Sequence, residues 1–286
     1  MCANYIPVTN AERLLHFFGV VRAGDESPRD VFPSGLAPFI RLAPEGTDPD
    51  ALLRTLADGI FRFVPDFIAK EEWARHTQNV RSETVHSKST FKRAWLDGQR
   101  CIVPAESIYE FDYASGEAVR CRIQKANGDP IGIAGVYRSL IGPDGKEIFA
   151  FSMLTVNADD HPFMKQFHAP GEEKRMVVIL EPEDFEGWLT CPVSEAKERY
   201  CKQWHGELVG EPKPLPKRPK KVVAPVPEPE PPTMSLLDLL LGEHDEQVDA
   251  MELPPVKPKS RAKPKVAKQP KQPPEDPEHG VTGDLF

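Results

Sequence analysis

Apolar positions near the start of the chain recur at helical spacing. Leu14, Leu15 and Phe18 fall on one side of a short helix opened by Thr9-Asn10-Ala11-Glu12, which has the form of a capping box. Ala51–Phe61 carries a second helical pattern and Ser87–Leu96 a third. From Arg100 onward the pattern changes. Arg100–Pro104, Ile108–Tyr113, Val119–Gln124, Ile131–Tyr137 and Ile148–Thr155 are short runs rich in apolar and β-branched residues, which predicts strands. Asn127-Gly128-Asp129 and Pro143-Asp144-Gly145 supply turns between several of them. Met176–Leu180 reads as another strand and Glu183–Leu189 as a short helix. The pattern predicts an α+β fold: an antiparallel, partly barrel-like β core with flanking helices. No internal repeat is visible.

Composition divides the chain. Of its 31 prolines, 17 lie in Glu211–Phe286, which has few aromatic residues and no sustained apolar period. Such a segment cannot bury enough apolar surface to offset chain entropy, so residues 211–286 are expected to form a disordered Pro/Lys-rich tail. Residues 1–210 are long enough to build one sizeable core, and so one domain. Within the tail, Ser235–Leu241 is apolar, either a docking segment or a chance cluster. The Lys-Pro repeats around Lys257–Lys271 read as an extended basic arm.

The net charge is −8, of which the tail contributes little, with 12 Lys plus Arg against 13 Asp plus Glu. An acidic body excludes a broadly basic nucleic-acid binder. Any such site must be local, and Arg75, Arg81, Lys88, Lys92, Arg93 and Arg100 form one basic run; a solvated helix face is the plain alternative. The five cysteines, at 2, 101, 121, 191 and 201, have no CxxC spacing. An odd number without such pairs fits a reducing compartment and no metal site. Met1–Tyr5 lacks the features of a signal peptide, and no apolar run is long enough to span a bilayer. The expectation is a cytoplasmic monomer with no membrane contact.

Cys2 carries the most chemical information. Removal of Met1 would leave a thiol and an α-amine on adjacent carbons. The amine titrates near pH 8, about two units below a lysine, so part of it is neutral at pH 7 and can attack an aldehyde. The thiol can then close on the same carbon to give a five-membered thiazolidine. The plain alternative is a small second residue with no chemical role.

Three further clusters follow Cys2 in order. They are Asn79-Val80-Arg81-Ser82-Glu83-Thr84, Arg100–Ala105 with Ser107-Ile108-Tyr109-Glu110-Phe111, and His168 with Arg175–Leu180. With Cys2 they resemble the SOS response-associated peptidase (SRAP) family over about residues 2–195. The resemblance implies a domain that captures abasic sites in single-stranded DNA through Cys2, without a cofactor, and that has autopeptidase and lyase activity. It assigns Asn79 to orienting the amine, Glu110 to donating the proton that expels water, and His168 to sugar-ring opening or proton shuttling. Arg81 would hold a phosphate, helped by Arg75 and Lys88, while Phe61, Phe67 or Trp73 would stack on flanking bases.

The chain departs from the family pattern in three places. Ala3 and Asn4 stand where Gly-Arg is common. Phe61-Arg62-Phe63-Val64-Pro65 replaces a Trp-Gly-led segment. Ala169–Lys174 is inserted between His168 and Arg175, and Val177 stands in place of a proline. Two other function classes fit Cys2 or the tail. One is an N-terminal-nucleophile amidohydrolase; the other is a noncatalytic scaffold acting through its prolines. The ending Asp284-Leu285-Phe286 resembles peptides that dock bacterial replication and repair proteins on the sliding clamp. This makes the clamp, or another replication protein, a partner to test beside the simple alternative of an unpartnered tail.

Overall fold

The computed structural model describes residues 2, 4–27, 29–44, 53–63, 76–141 and 145–215. Eleven strands and four α-helices are found among them. The strands are β1 (Asn4–Pro7), β2 (Leu36–Leu42), β3 (Arg54–Phe61), β4 (Asn79–Arg81), β5 (Arg100–Asp112) and β6 (Val119–Lys125). They continue with β7 (Ile131–Ile141), β8 (Glu147–Asn157), β9 (Arg175–Val177), β10 (Ile179–Leu180) and β11 (Leu208–Pro212). The helices are α1 (Ala11–Phe18), α2 (Ser89–Leu96), α3 (Phe185–Thr190) and α4 (Val193–Tyr200).

Five strands close on themselves in the order β7-β8-β3-β2-β5 and back to β7. All junctions are antiparallel except β3 with β8, which is parallel. The α+β, barrel-like expectation therefore holds. Closure removes free edges and encloses one apolar interior. Phe39, Phe61 and Phe151 fill it, with Phe151 5.4 Å from Phe39 and 5.6 Å from Phe61 between ring centroids.

β5 is the strand that links the barrel to the chemistry. The sequence predicts two strands here, but the structure has one of 13 residues. Its first half, Arg100–Ala105, pairs with β7, and its second half, Ile108–Asp112, pairs with β6. β1 lies along the same strand, with Asn4 opposite Tyr109. One continuous strand thus brings the N-terminus beside Glu110.

Ala51–Phe61 corrects the sequence reading: Arg54–Phe61 is strand, not helix. Leu53, Leu56 and Ile60 have helical spacing, but Gly59 is a poor helix former and β2 offers a full-length antiparallel partner. Gly59 is also required by packing. A Cβ there would lie 2.9 Å from the Phe39 ring. The capping box is displaced by one residue. Asn10, not Thr9, caps α1 by accepting a bond from the Arg13 amide at 2.9 Å. Leu14 and Phe18 are buried as expected, whereas Leu15 is exposed. β11 crosses the expected boundary at residue 210 by pairing with β6. The tail from 216 onward, including Ser235–Leu241 and the Leu285-Phe286 end, lies outside the described residues. Among the described residues no helix is long and apolar enough to cross a membrane.

Candidate active site

Cys2 is fully buried just ahead of β1. β1 is fixed against β5 partly by Asn4, also buried, whose side-chain oxygen accepts a bond from Arg120 Nε at 3.3 Å. Arg120 in turn pairs with Asp30 at 2.6 Å and lies over the Tyr109 ring. Asn4, standing where the family pattern has arginine, is therefore a buried strand anchor rather than a surface group.

Asn79 reaches the same place from β4, which runs parallel to β8 with Asn79 opposite Met153. Its Nδ2 donates to the Cys2 carbonyl at 2.9 Å. Asn79 is thus a buried strand residue that holds the backbone of Cys2. Glu110 lies on β5 opposite Cys121 and is 2 % exposed. His168 is held beside it by its own amide, which donates to the Phe111 carbonyl at 2.9 Å. His168 Nε2 stands 3.6 Å from Glu110 Oε2.

Burial governs the protonation of all three titratable groups. It pushes the Cys2 thiol up to about 12, and the Glu110 charge adds to the effect. Burial likewise raises the Glu110 carboxyl to about 7, against the opposing positive charge of the chain terminus. His168 moves the other way, to about 4, because burial disfavours its cation. Glu110 and His168 are close enough to count as an ion pair by distance, yet these shifts leave His168 neutral near pH 7. The contact is therefore between a neutral imidazole and a carboxyl near its own midpoint.

A depressed histidine pKa makes stability depend on pH. The contribution is present above the unfolded value near 6.5 and is lost as pH falls toward 4, because the unfolded chain takes up the proton first. His168→Gln is expected to flatten the loss of stability between pH 6.5 and 4 by about 1–2 kcal/mol. Urea denaturation at pH 7 and pH 4.5 would measure it, and an unchanged difference between the two would refute it.

The SOS response associated peptidase (SRAP) family model matches residues 1–210. The chain belongs to that family. The chain is similar to the crystal structure of a protein from Bordetella bronchiseptica, with a TM-score of 0.66 and 35% identity over 75% of this chain and 100% of that one. The abasic site processing protein YoqW of Bacillus subtilis is 28% identical over 127 residues, 44% of this chain and 53% of its own. The abasic site processing protein HMCES of Gallus gallus is 26% identical over 166 residues, 50% of this chain and 47% of its own. The chain spans about half the length of these curated relatives.

Two SRAP motif residues that sequence reasoning left without a role pair with each other. Glu83, last of the Asn-x-Arg-x-Glu motif, accepts both nitrogens of the Arg175 fork at 3.0 and 2.8 Å. Arg175 also binds Glu173 at 2.6 Å and the Thr155 carbonyl at 2.8 Å. Their place in the clusters Asn79–Thr84 and Arg175–Leu180 was the available signal. The insert after His168 folds back on it. Lys174 Nζ donates to the carbonyls of His168 and Ala169, each at 3.0 Å, and His168 adopts a left-handed φ of 71°.

Of the DNA-contact candidates, Arg81 and Lys88 are exposed at either end of the turn following β4. Phe61 is fully buried between Tyr5 and Phe151, so it has no face to offer a base; the apolar barrel interior takes the ring instead. Arg100 is likewise buried, with its guanidinium on the Trp188 and Cys191 carbonyls. Arg75, Phe67 and Trp73 lie outside the described residues. His161 is a structural residue, accepting the Phe163 and Met164 amides on Nδ1. Among the described residues no group of three or more His, Cys, Asp or Glu is placed to hold a metal.

Proposed function

We propose that this chain processes abasic sites in single-stranded DNA by forming a thiazolidine crosslink at Cys2, once Met1 has been removed. The supporting observation is a chain of neighbours around Cys2: Asn79 on β4 bonds the Cys2 carbonyl, the Glu110 charge on β5 acts on the Cys2 thiol, and His168 in the loop before β9 lies beside Glu110. In this reading the Cys2 α-amine attacks C1′ of the open-chain sugar. Glu110, whose raised pKa of about 7 keeps a share of it protonated near neutral pH, gives its proton to the departing hydroxyl, and water leaves to form an iminium ion. The thiol sulfur then bonds to the same carbon, and its proton returns to the Glu110 carboxylate. One water is released and Glu110 is regenerated. Neutral His168 accepts the proton of the C1′ hydroxyl as the C1′–O4′ bond breaks and passes it to O4′, so the open-chain aldehyde and a 4′ hydroxyl form and His168 is neutral again. Asn79 fixes the Cys2 backbone so that amine and thiol face one carbon. Elimination from the iminium ion gives the associated lyase activity, and the same residues release Met1.

An amidohydrolase built on an N-terminal cysteine would also use Cys2. No observation favours it over the family's own chemistry. The test is borohydride trapping with a single-stranded abasic oligonucleotide, using protein whose loss of Met1 is verified by intact mass. A trapped band is expected with the abasic strand and none with its undamaged twin. Absence of the band with processed protein would overturn the proposal.

A further inference from the structure

Arg81 extends from the end of β4 with its side chain 51% exposed, and its Nη1 lies 2.7 Å from Glu173 Oε2. The other oxygen of Glu173 is engaged inward. Oε1 accepts from Arg175 Nη1 at 2.6 Å and from Asn157 Nδ2 at 3.2 Å. Arg175 is 2% exposed and committed to Glu83, whereas the Arg81–Glu173 contact sits at the surface. Glu173 belongs to the insert that separates His168 from Arg175.

We propose that Glu173 is a built-in occupant of the Arg81 phosphate site, a carboxylate that DNA must displace and that weakens the hold on undamaged strands. This rests on the reading of Arg81 as a DNA contact. A carboxylate and a phosphate compete for the same guanidinium donors. Solvent-exposed pairs of this kind are weak, so a phosphate can replace Glu173 while the buried Arg175–Glu83 fork stays intact. Once displaced, Glu173 remains tethered by Arg175 and Asn157, leaving a negative charge beside the phosphate. Noncovalent binding is penalised on every strand. Only a strand that reacts at Cys2 gains a bond that the penalty cannot reverse. Glu173 therefore shifts discrimination from phosphate contacts to covalent capture.

The test measures fluorescence anisotropy of an undamaged single-stranded oligonucleotide with wild type, Glu173→Gln, Arg81→Ala and the double variant. Borohydride trapping of the abasic strand is measured in parallel. Glu173→Gln is expected to bind the undamaged strand about twofold to fivefold more tightly. The gain should vanish in the Arg81→Ala background. Thermal denaturation checks folding. If the glutamine variant is unfolded, Glu173→Asp keeps the charge beside Arg175 on a shorter arm and is expected to show the same direction of change. No tightening, or a gain that persists without Arg81, would overturn the proposal alone. A wild type that binds no strand and traps no abasic DNA would overturn the functional reading and the proposal together.

Discussion

Cys2→Ser is expected to lose the heat-stable adduct with abasic single-stranded DNA down to background while retaining a borohydride-trappable one. The α-amine survives this substitution, so the iminium ion still forms. A serine hydroxyl closes the ring reversibly and cannot hold the product through heating, whereas sulfur does. Burial keeps the Cys2 thiol protonated, with its pKa up at about 12, so ring closure needs a nearby proton acceptor. In the proposed mechanism Glu110 supplies one, having just given up its own proton. Denaturing gels with and without borohydride separate the two species. A serine variant that forms the heat-stable product at the wild-type yield would falsify thiol closure.

Glu110→Gln is expected to slow adduct formation about 10²-fold, the usual scale of a positioned general acid. The wild-type rate should fall above about pH 7, as Glu110 loses its proton, and also fall at low pH as the amine becomes charged. The glutamine variant should lack the alkaline limb. Stability should move the opposite way. The raised carboxyl pKa favours the fold below the unfolded value near 4.5, and that advantage is lost as pH rises through about 7. Glutamine has no charge to bury. The variant should therefore be more stable than wild type at pH 8, by on the order of 2–3 kcal/mol, and little changed at pH 4. A slow variant that is also less stable at pH 8 would mean that Glu110 acts structurally rather than as the buried acid.

Several elements were legible because local pattern and tertiary outcome agree. β6, β7 and β8 are short β-branched runs bounded by turn residues, and α2 follows an apolar period that buries Phe91, Ala94 and Trp95. Short strands with little pattern of their own were not legible. Asn79–Arg81 is a strand because β8 provides a parallel partner, and Asn4–Pro7 is one because β5 does. Leu36–Leu42 and Leu208–Pro212 form in the same way, against β3 and β6. Such pairing is nonlocal, and a window of sequence carries no trace of the partner. Phe61 illustrates the same limit at the level of one side chain. An aromatic residue in a motif-like segment reads equally as a base-stacking ring or as core, and only the closed barrel assigns it to the core.

The sequence by itself determined the class of fold, the sparse cysteine pattern and the unusual Pro-rich C-terminal stretch, which depend on residue type and spacing, and these are local properties. It pointed to Cys2 by its chemistry, and to Asn79, Glu110 and His168 only through the resemblance to the SRAP family. The tertiary structure alone decided which charges are buried and what they face. It placed Glu110 and His168 3.6 Å apart, moved their pKa values in opposite directions, and tied Asn79 to the Cys2 carbonyl. It also gave Arg81 a carboxylate partner from an insert 92 residues away in sequence. The physical reason is that desolvation and charge pairing depend on distances between segments remote in sequence, and those distances exist only once β1, β4 and β5 have assembled around the barrel.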